Sequence, residues 1–280
     1  MNQSVSPKRP IIAFMTDFGL GDGDVGVLKG VALGIVPDAQ IIDITHDVAP
    51  QHVASGAWIL AASYRYFPTE TVYVCVVDPG VGSTRRPIAV HAGDWFFVGP
   101  DNGLFSYVLA EQPAHQAVLL SNPAYRLPEI SSTFHGRDIF APAAAHIARG
   151  VPLSELGPTI DPAMLDRLDI SLTKREGAYI LAHVLHVDHF GNLITSIPLS
   201  MVPHLFSSSL TELRFPEQRV TITERRHFFS ENVEEAKDEQ HPFIYGDSSG
   251  YVGVAIRNGS AARTIGVDYG TPVTLLVEEK

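Results

Sequence analysis

Five consecutive apolar residues, Ile11-Ile12-Ala13-Phe14-Met15, run straight into Thr16-Asp17, and this constrains the fold more than any other feature of the chain. A strand that is apolar on both faces must be buried on both, as in a parallel sheet covered by helices. The pattern then repeats. Asp24 stands where an N-cap would, Val25 to Val36 carries apolar residues at helical spacing, and Pro37 stops it. Gln40-Ile41-Ile42-Asp43-Ile44 reads as a second strand, Val53 to Tyr64 as a second helix and Thr71 to Val77 as a third strand. This β-α-β-α-β order with short loops predicts an α/β parallel sheet with helices on its faces. Ile88 to His91 and Trp95 to Val98, joined by Ala92-Gly93-Asp94, read as a hairpin appended to that sheet. Asp138 to Ala148 is expected to be a further helix, ended by Arg149-Gly150.

After about residue 170 the texture changes. Tyr179 to Val187, Leu193 to Ile197, Val220 to Thr223, Tyr251 to Ile256 and Thr271 to Val277 are short strand-like runs separated by turn residues, with no good helix between them. The expectation is a smaller all-β domain, 178–280, after an α/β domain, 8–170, with the boundary in the charged stretch Asp161 to Gly177. The polar, acidic stretch Ser230 to His241 is expected to be an exposed loop. The segment Met1 to Pro10 lacks the apolar core of a signal peptide, and no run approaches the length of a membrane span, so a cytoplasmic protein is the simplest expectation.

The net charge of −11 argues against a nucleic-acid footprint and permits a cationic ligand, which a negatively lined cleft concentrates. The single cysteine, Cys75, lies inside an apolar run and reads as an inert buried thiol. His183, His186 and Asp188-His189 invite a metal reading, but three-residue spacing on a strand sends side chains to opposite faces, so no metal site is expected. His46, His52, His91, His115 and His146 are scattered and suggest no role.

Gly21-x-Gly23-x-x-Gly26, with Asp43 seventeen residues on, spells the dinucleotide fingerprint. Asp17, Asp22 and Asp24 crowd the same loop, and three carboxylates would repel a pyrophosphate. A ligand carrying hydroxyls and a positive charge suits it better. Asp78-Pro79-Gly80-Val81-Gly82 follows the third strand directly, at the edge where parallel sheets bind ligands. Asp78 and Arg85 read either as an ion pair closing a glycine-rich turn or as a carboxylate oriented for chemistry. His135 sits with Gly136, Arg137 and Asp138 just before a helix, where Asp138 is an N-cap or first-turn acid. In Asp188-His189-Phe190-Gly191-Asn192, either an Asx turn joins two strands, or Asn192 reads an adenine edge with Phe190 stacked on the base. Asp247-Ser248-Ser249-Gly250-Tyr251 is a plain turn or a polar clamp for a zwitterion.

Taken in order, Thr16-Asp17-Phe18-Gly19, Val25 to Gly30, Asp78 to Gly82, Arg85-Arg86, Thr133 to Asp138, Phe190-Gly191-Asn192 and Ser248 to Tyr251 resemble the S-adenosylmethionine (SAM) hydroxide adenosyltransferase family, related to fluorinase and chlorinase. The resemblance implies a Rossmann-like N-terminal domain, a C-terminal β-barrel, and a homotrimer with active sites at subunit interfaces. It implies hydrolysis of SAM to adenosine and methionine, with SAM as the substrate and no cofactor. It assigns Asp78, Arg85 and His135 to water activation, and Asp17 to the ribose hydroxyls. Asp22, Asp188 and Ser248, with Ser249 beside it, fall to the methionine end, and Asn192 with Phe190 to adenine. Gln51 stands where fluorinase has a tryptophan over the ribose, and Asp24 where an aromatic or serine is more frequent. Fluorinase has a tyrosine in place of Asp78 and a serine in place of Gly136. A carboxylate at the attack position repels halide and accepts a proton from water, which favours hydrolysis over halogenation. The alternatives are a halogenating relative, a nucleotide-dependent oxidoreductase on the glycine loop, and a non-catalytic nucleoside or SAM binder.

Overall fold

The first apolar run forms β1 (Ile11–Thr16), the strand on which the N-terminal sheet is organised. The computed structural model describes residues 9–169, 173–208, 211–231 and 241–277. It divides into two units, one ending at Leu168 and the other beginning at Asp169. Residues 1–8, 170–172 of the expected boundary and 232–240 of the expected acidic loop lie outside the described residues. No described helix is long and apolar enough to cross a membrane.

In the first unit, β1 is flanked by β2 (Gln40–Thr45) and β3 (Val72–Val76), and β3 pairs with β5 (Trp95–Pro100); all three pairings are parallel. Antiparallel β4 (Pro87–Ala92), β6 (Ala114–Leu119) and β7 (Thr159–Ile160) complete the sheet in the order β2-β1-β3-β5-β4-β6-β7 among the described residues. The appended hairpin therefore continues into two further strands that the pattern did not predict. Ala114-His115-Gln116-Ala117 mixes small, polar and apolar residues, and so lacks a clear period.

Both faces of the sheet are covered, as the uninterrupted apolar strands require. Ile12, Phe14, Val72, Val74 and Val76 pack against Leu28 and Ala32 of α1 (Asp24–Ile35) and against α4 (Ala141–Ala148). The alternate residues Ala13, Met15, Tyr73, Cys75 and Val77 pack against Ala57 and Leu60 of α2 (Val53–Ser63) and Val108 of α3 (Ser106–Glu111). Each large apolar side chain so buried contributes about 1.5–3 kcal/mol. Cys75 is fully buried, and burial pushes its thiol well above the ordinary range. A short α5 (Leu153–Leu156) precedes β7.

Two helix starts differ from expectation. α1 is N-capped by Gly23 with no side-chain cap, because the Asp24 backbone is already helical; its carboxylate sits in the first turn, where it still meets the positive end of the helix dipole. The helix expected from Asp138 opens earlier, as a π turn over Gly136–Phe140 that leads into α4.

The second unit is antiparallel: β8 (Lys174–Glu176), β9 (Tyr179–Val187), β10 (Leu193–Pro198), β11 (Thr211–Phe215), β12 (Val220–Ile222), β13 (Pro242–Gly246), β14 (Tyr251–Ile256) and β15 (Pro272–Val277). Their path is β12-β11-β15-β9-β10-β14-β13, with β8 on β9. Beyond β12, Arg226 N–H donates to the Ile244 carbonyl (2.9 Å) and Ile244 N–H to the Glu224 carbonyl (2.8 Å), which brings the two ends of the path together in a near-barrel. Ile180, Val184, Leu213, Phe215, Val254 and Leu275 fill it. The expectation of no helix is corrected by α6 (Ala261–Ile265), which the Ser260 side chain caps and left-handed Gly266 ends.

Candidate active site

Chain order places β2 on one side of β1 and β3 on the other, so the crossover direction reverses between β1 and β3. Ligands in open α/β sheets bind outside the carboxyl ends of strands at such a reversal. The register pairs Thr16 with Val76, which puts Asp17 one residue and Asp78 two residues past neighbouring strand ends.

Asp78 is held there by Arg85. The guanidinium Nε donates to Asp78 Oδ1 at 2.9 Å and Oδ2 at 3.0 Å, and Nη2 donates to Oδ2 as well. Nη2 also lies 2.8 Å from Nδ1 of His135. The Asp78 and Arg85 side chains are only 5% and 8% exposed. The Arg85 guanidinium stacks 5.2 Å from the Phe140 ring, and its Nη1 is buried with no hydrogen-bond partner among the described residues. Two donors reach a carboxylate with about four lone-pair sites, so it keeps room for a water O–H.

The backbone that brings these loops together requires glycine at one position. Gly82 has φ +76°, and a Cβ there would lie 2.3 Å from the Ser132 carbonyl oxygen. Only glycine lets the loop after β3 lie against the segment that carries His135. On the other side, Asp138 is fully buried and accepts the Ser131 N–H (2.7 Å) while pairing with Arg137 (2.6 Å). Although burial works against it, these bonds hold its carboxyl below the ordinary value. The π turn follows His135 immediately; such turns recur at functional sites.

An arginine can only donate, so Nδ1 of His135 must accept and the ring proton sits on Nε2. Burial, and then the Arg85 charge, push the His135 pKa below its ordinary 6.5, against smaller opposing contributions from Asp78, Asp138 and the Ser131 backbone. The neutral ring is the form that fits Arg85. A histidine depressed in the folded state favours the native arrangement above pH 6.5 and loses that contribution as pH falls through the lowered pKa. The acid limb of kcat/KM, which reports the free enzyme, is therefore expected to contain a step with its midpoint below 6.5 that is lost in His135→Gln; a pH–rate series whose His135-dependent step has a midpoint above 6.5 would contradict this assignment.

Asp17 Oδ2 accepts the backbone N–H of Gln51 at 2.7 Å. Gln51 has φ +62°, an uncommon conformation for a side-chain-bearing residue, and its side chain is exposed. Its observed contact to Asp17 is thus made by the backbone. Asp22 and Asp24 are exposed on the loop and first turn, and Asp24 acts electrostatically on Arg137. Phe18 and Phe134 meet edge to face at 5.9 Å. A Cβ at Gly136 would lie 3.3 Å from Leu28 and 3.5 Å from Phe18, so the Asp17 and His135 loops are close-packed neighbours.

In the second unit, Asp188 organises its own turn. Its Oδ1 accepts from Phe190 N–H (2.9 Å) and Asn192 N–H (2.8 Å), and its Oδ2 accepts from Asn192 Nδ2 (2.8 Å). This is the Asx turn of the first reading, yet it leaves Phe190 74% exposed and the Asn192 Oδ1 uncommitted to that turn. Ser249 donates its hydroxyl and its N–H to Asp247 Oδ1, whereas Ser248 is exposed. Tyr245 lies near both loops: burial, and then the charges of Asp247 and Asp188, raise its phenol pKa above the ordinary range. Among the described residues no group of three His, Cys, Asp or Glu side chains could hold a metal ion.

Sequence reasoning missed Tyr245 and two histidines, and gave Asp247 no role beyond its turn or clamp segment. His52 caps α2 by accepting the Ser55 N–H (3.2 Å), a role its place just before an apolar helical run could have signalled. His46 is buried against Thr16, thirty residues away in the chain, and no local pattern announces such a contact.

Comparison with known proteins bears on the whole chain. The N-terminal domain of the SAM hydroxide adenosyltransferases matches residues 12–157 and the C-terminal domain matches residues 182–274. A protein of Salinispora tropica named (R)-S-adenosyl-L-methionine hydrolase is 42% identical over 262 residues, 93% of this chain and 95% of that one. A fluorinase of Nocardia brasiliensis is 29% identical over 297 residues, 96% of this chain and 98% of that one. The crystal structure of an uncharacterized conserved protein from Thermotoga maritima superposes with a TM-score of 0.85 at 32% identity, covering 95% of this chain and 99% of that one.

Proposed function

The chain belongs to the SAM hydroxide adenosyltransferase family, and from that premise we propose that it is a hydrolase converting (R)-S-adenosyl-L-methionine and water to adenosine and L-methionine. One observation carries the choice of reaction: a carboxylate, Asp78, is locked by Arg85 and His135 at the carboxyl edge between β1 and β3. A nucleophile approaching that carboxylate must be neutral and able to lose a proton. Water qualifies, and a halide is repelled.

In this reading a water held by Asp78 attacks the ribose 5′ carbon in line with the carbon–sulfur bond. That bond's electron pair leaves with sulfur, methionine departs as a neutral thioether, and no general acid is needed. The water proton passes to Asp78 and then to solvent. Arg85 fixes the carboxylate, and His135 locks the guanidinium. Alignment and proton relief are the two contributions the protein makes. Asp17 holds the ribose hydroxyls, with Gln51 beside it. Asp22, Asp188, Ser248 and Ser249 serve the methionine end, and Phe190 and Asn192 the adenine. SAM is a substrate here, and no cofactor enters the scheme. The finer architecture belongs to the same proposal: a Rossmann-like domain over 8–170, a β-barrel over 178–280 and a homotrimer. A solution mass of one 30.4 kDa chain would contradict the trimer.

The sulfonium configuration comes from the name of the relative, since the triad acts at the 5′ carbon whichever way the methionine arm leaves sulfur. Separated (R) and (S) epimers, each incubated with the enzyme and assayed for adenosine, test it. Faster release from the (R) epimer supports the proposal; equal rates refute the epimer assignment, and no adenosine from either refutes the activity.

A further inference from the structure

A second buried polar chain runs beside the triad. Thr16 is fully buried and His46 is 3% exposed. Thr16 Oγ1 lies 2.8 Å from His46 Nδ1, and His46 Nε2 lies 3.1 Å from Asp43 Oδ1. Lys29 Nζ donates to Asp43 Oδ2 at 2.6 Å and closes the solvent end, where the two side chains are 28% and 41% exposed.

The Phe18 amide, 3.3 Å from Thr16 Oγ1, can only donate, so that oxygen accepts there. The threonine hydroxyl still has a proton and a second lone pair with which to meet His46 Nδ1, while His46 Nε2 faces the Asp43 carboxylate at 3.1 Å without hydrogen-bond geometry. Although burial opposes it, Lys29 and then His46 hold Asp43 below its ordinary pKa, in keeping with a carboxylate at that end. The backbone adds two ties: Gly19 N–H donates to the His46 carbonyl at 2.8 Å, and Val48 N–H to the Thr16 carbonyl at 3.3 Å.

These contacts share one target. They fix residues 16, 18 and 19, the backbone on both sides of Asp17, and they do so at the carboxyl end of β1 instead of within an apolar cluster. A buried imidazole stabilises a fold no better than a well-packed apolar side chain of similar size. What it supplies is a fixed direction for the loop that its polar partners define.

We propose that His46, through Thr16, is a positioning residue that aims the Asp17 carboxylate at the substrate ribose, with Asp43 and Lys29 setting its ring orientation. The proposal rests on the assignment of Asp17 to the ribose hydroxyls, and it gives Asp43 a role other than the dinucleotide one its spacing suggested.

The test is steady-state hydrolysis of (R)-S-adenosyl-L-methionine and of its 2′-deoxyribose counterpart. In His46→Ala, KM for the parent substrate is expected to rise roughly tenfold, with kcat held within about threefold. The wild-type preference for ribose over 2′-deoxyribose is expected to shrink by the same factor, because only a well-aimed Asp17 can reward the hydroxyl. The double variant Asp17→Ala/His46→Ala should be no worse than Asp17→Ala alone, since the two act as one unit. Thr16→Val should reproduce the KM rise and Thr16→Ser should remove it; this pair carries the test if His46→Ala does not fold. Wild-type enzyme that releases no adenosine overturns the functional reading on which the proposal stands. Active wild-type enzyme, together with an unchanged KM and an unchanged ribose preference in His46→Ala or Thr16→Val, overturns the positioning role alone.

Discussion

Asp78→Asn is expected to lower kcat for adenosine release by about 10²–10⁴-fold while KM changes little. Asparagine keeps the shape of the side chain and removes both its charge and its capacity to take a proton. Its amide also turns one acceptor into a donor that faces Arg85, which can only donate. The guanidinium, 8% exposed, loses the charge that paired it. Removing one partner of a buried pair costs about 3–5 kcal/mol of stability, and a neutral isostere costs the lower part of that range. Kinetics should therefore be read well below the melting transition, with circular dichroism confirming the fold. Because Asp78 is assigned to the water and not to substrate binding, a variant whose loss fell mainly in KM would contradict the assignment.

Arg85→Lys keeps the charge and should still cost roughly 10²-fold in kcat. The guanidinium reaches both Asp78 oxygens and His135 Nδ1 from one rigid plane, and that plane also lies over Phe140. An ammonium is a point donor on a flexible stem and cannot hold that geometry at once. The carboxylate would turn freely, so proton acceptance survives while alignment is lost. Near-normal turnover in Arg85→Lys would mean that the fork is only an electrostatic neighbour. A matching loss in His135→Gln at pH 8 would support alignment as the shared cause.

How much was legible in the sequence depended on how local each cause is. Ile11 to Met15 and Thr71 to Val77 announced buried parallel strands because apolarity on both faces has no other soluble use. Asp78, Gly80 and Gly82 stood in one loop after a strand, and the structure brings Asp78 to Arg85 within that loop. His135 lies 50 residues from Arg85, and motif order, not spacing, linked the two. Long-range and conformational causes were silent. Nothing near Gln51 signals φ +62°, and the contact of Thr16 with His46 spans thirty residues. The π turn after His135 reads locally as an ordinary helix start, because its apolar residues fit a helix. Asp188 forms the Asx turn of the first alternative, with Phe190 exposed and Asn192 buried beside it. The epimer of the sulfonium left no mark on the triad, and only the named relative supplied it.

The central claim is that water, activated at Asp78, attacks the ribose 5′ carbon. Hydrolysis of (R)-S-adenosyl-L-methionine in ¹⁸O water, followed by mass spectrometry of the nucleoside, tests it directly. The account predicts one ¹⁸O atom in the 5′ hydroxyl of adenosine and none in methionine. Unlabelled adenosine, or a 5′-halogenated nucleoside formed in its place when halide is present, would contradict it.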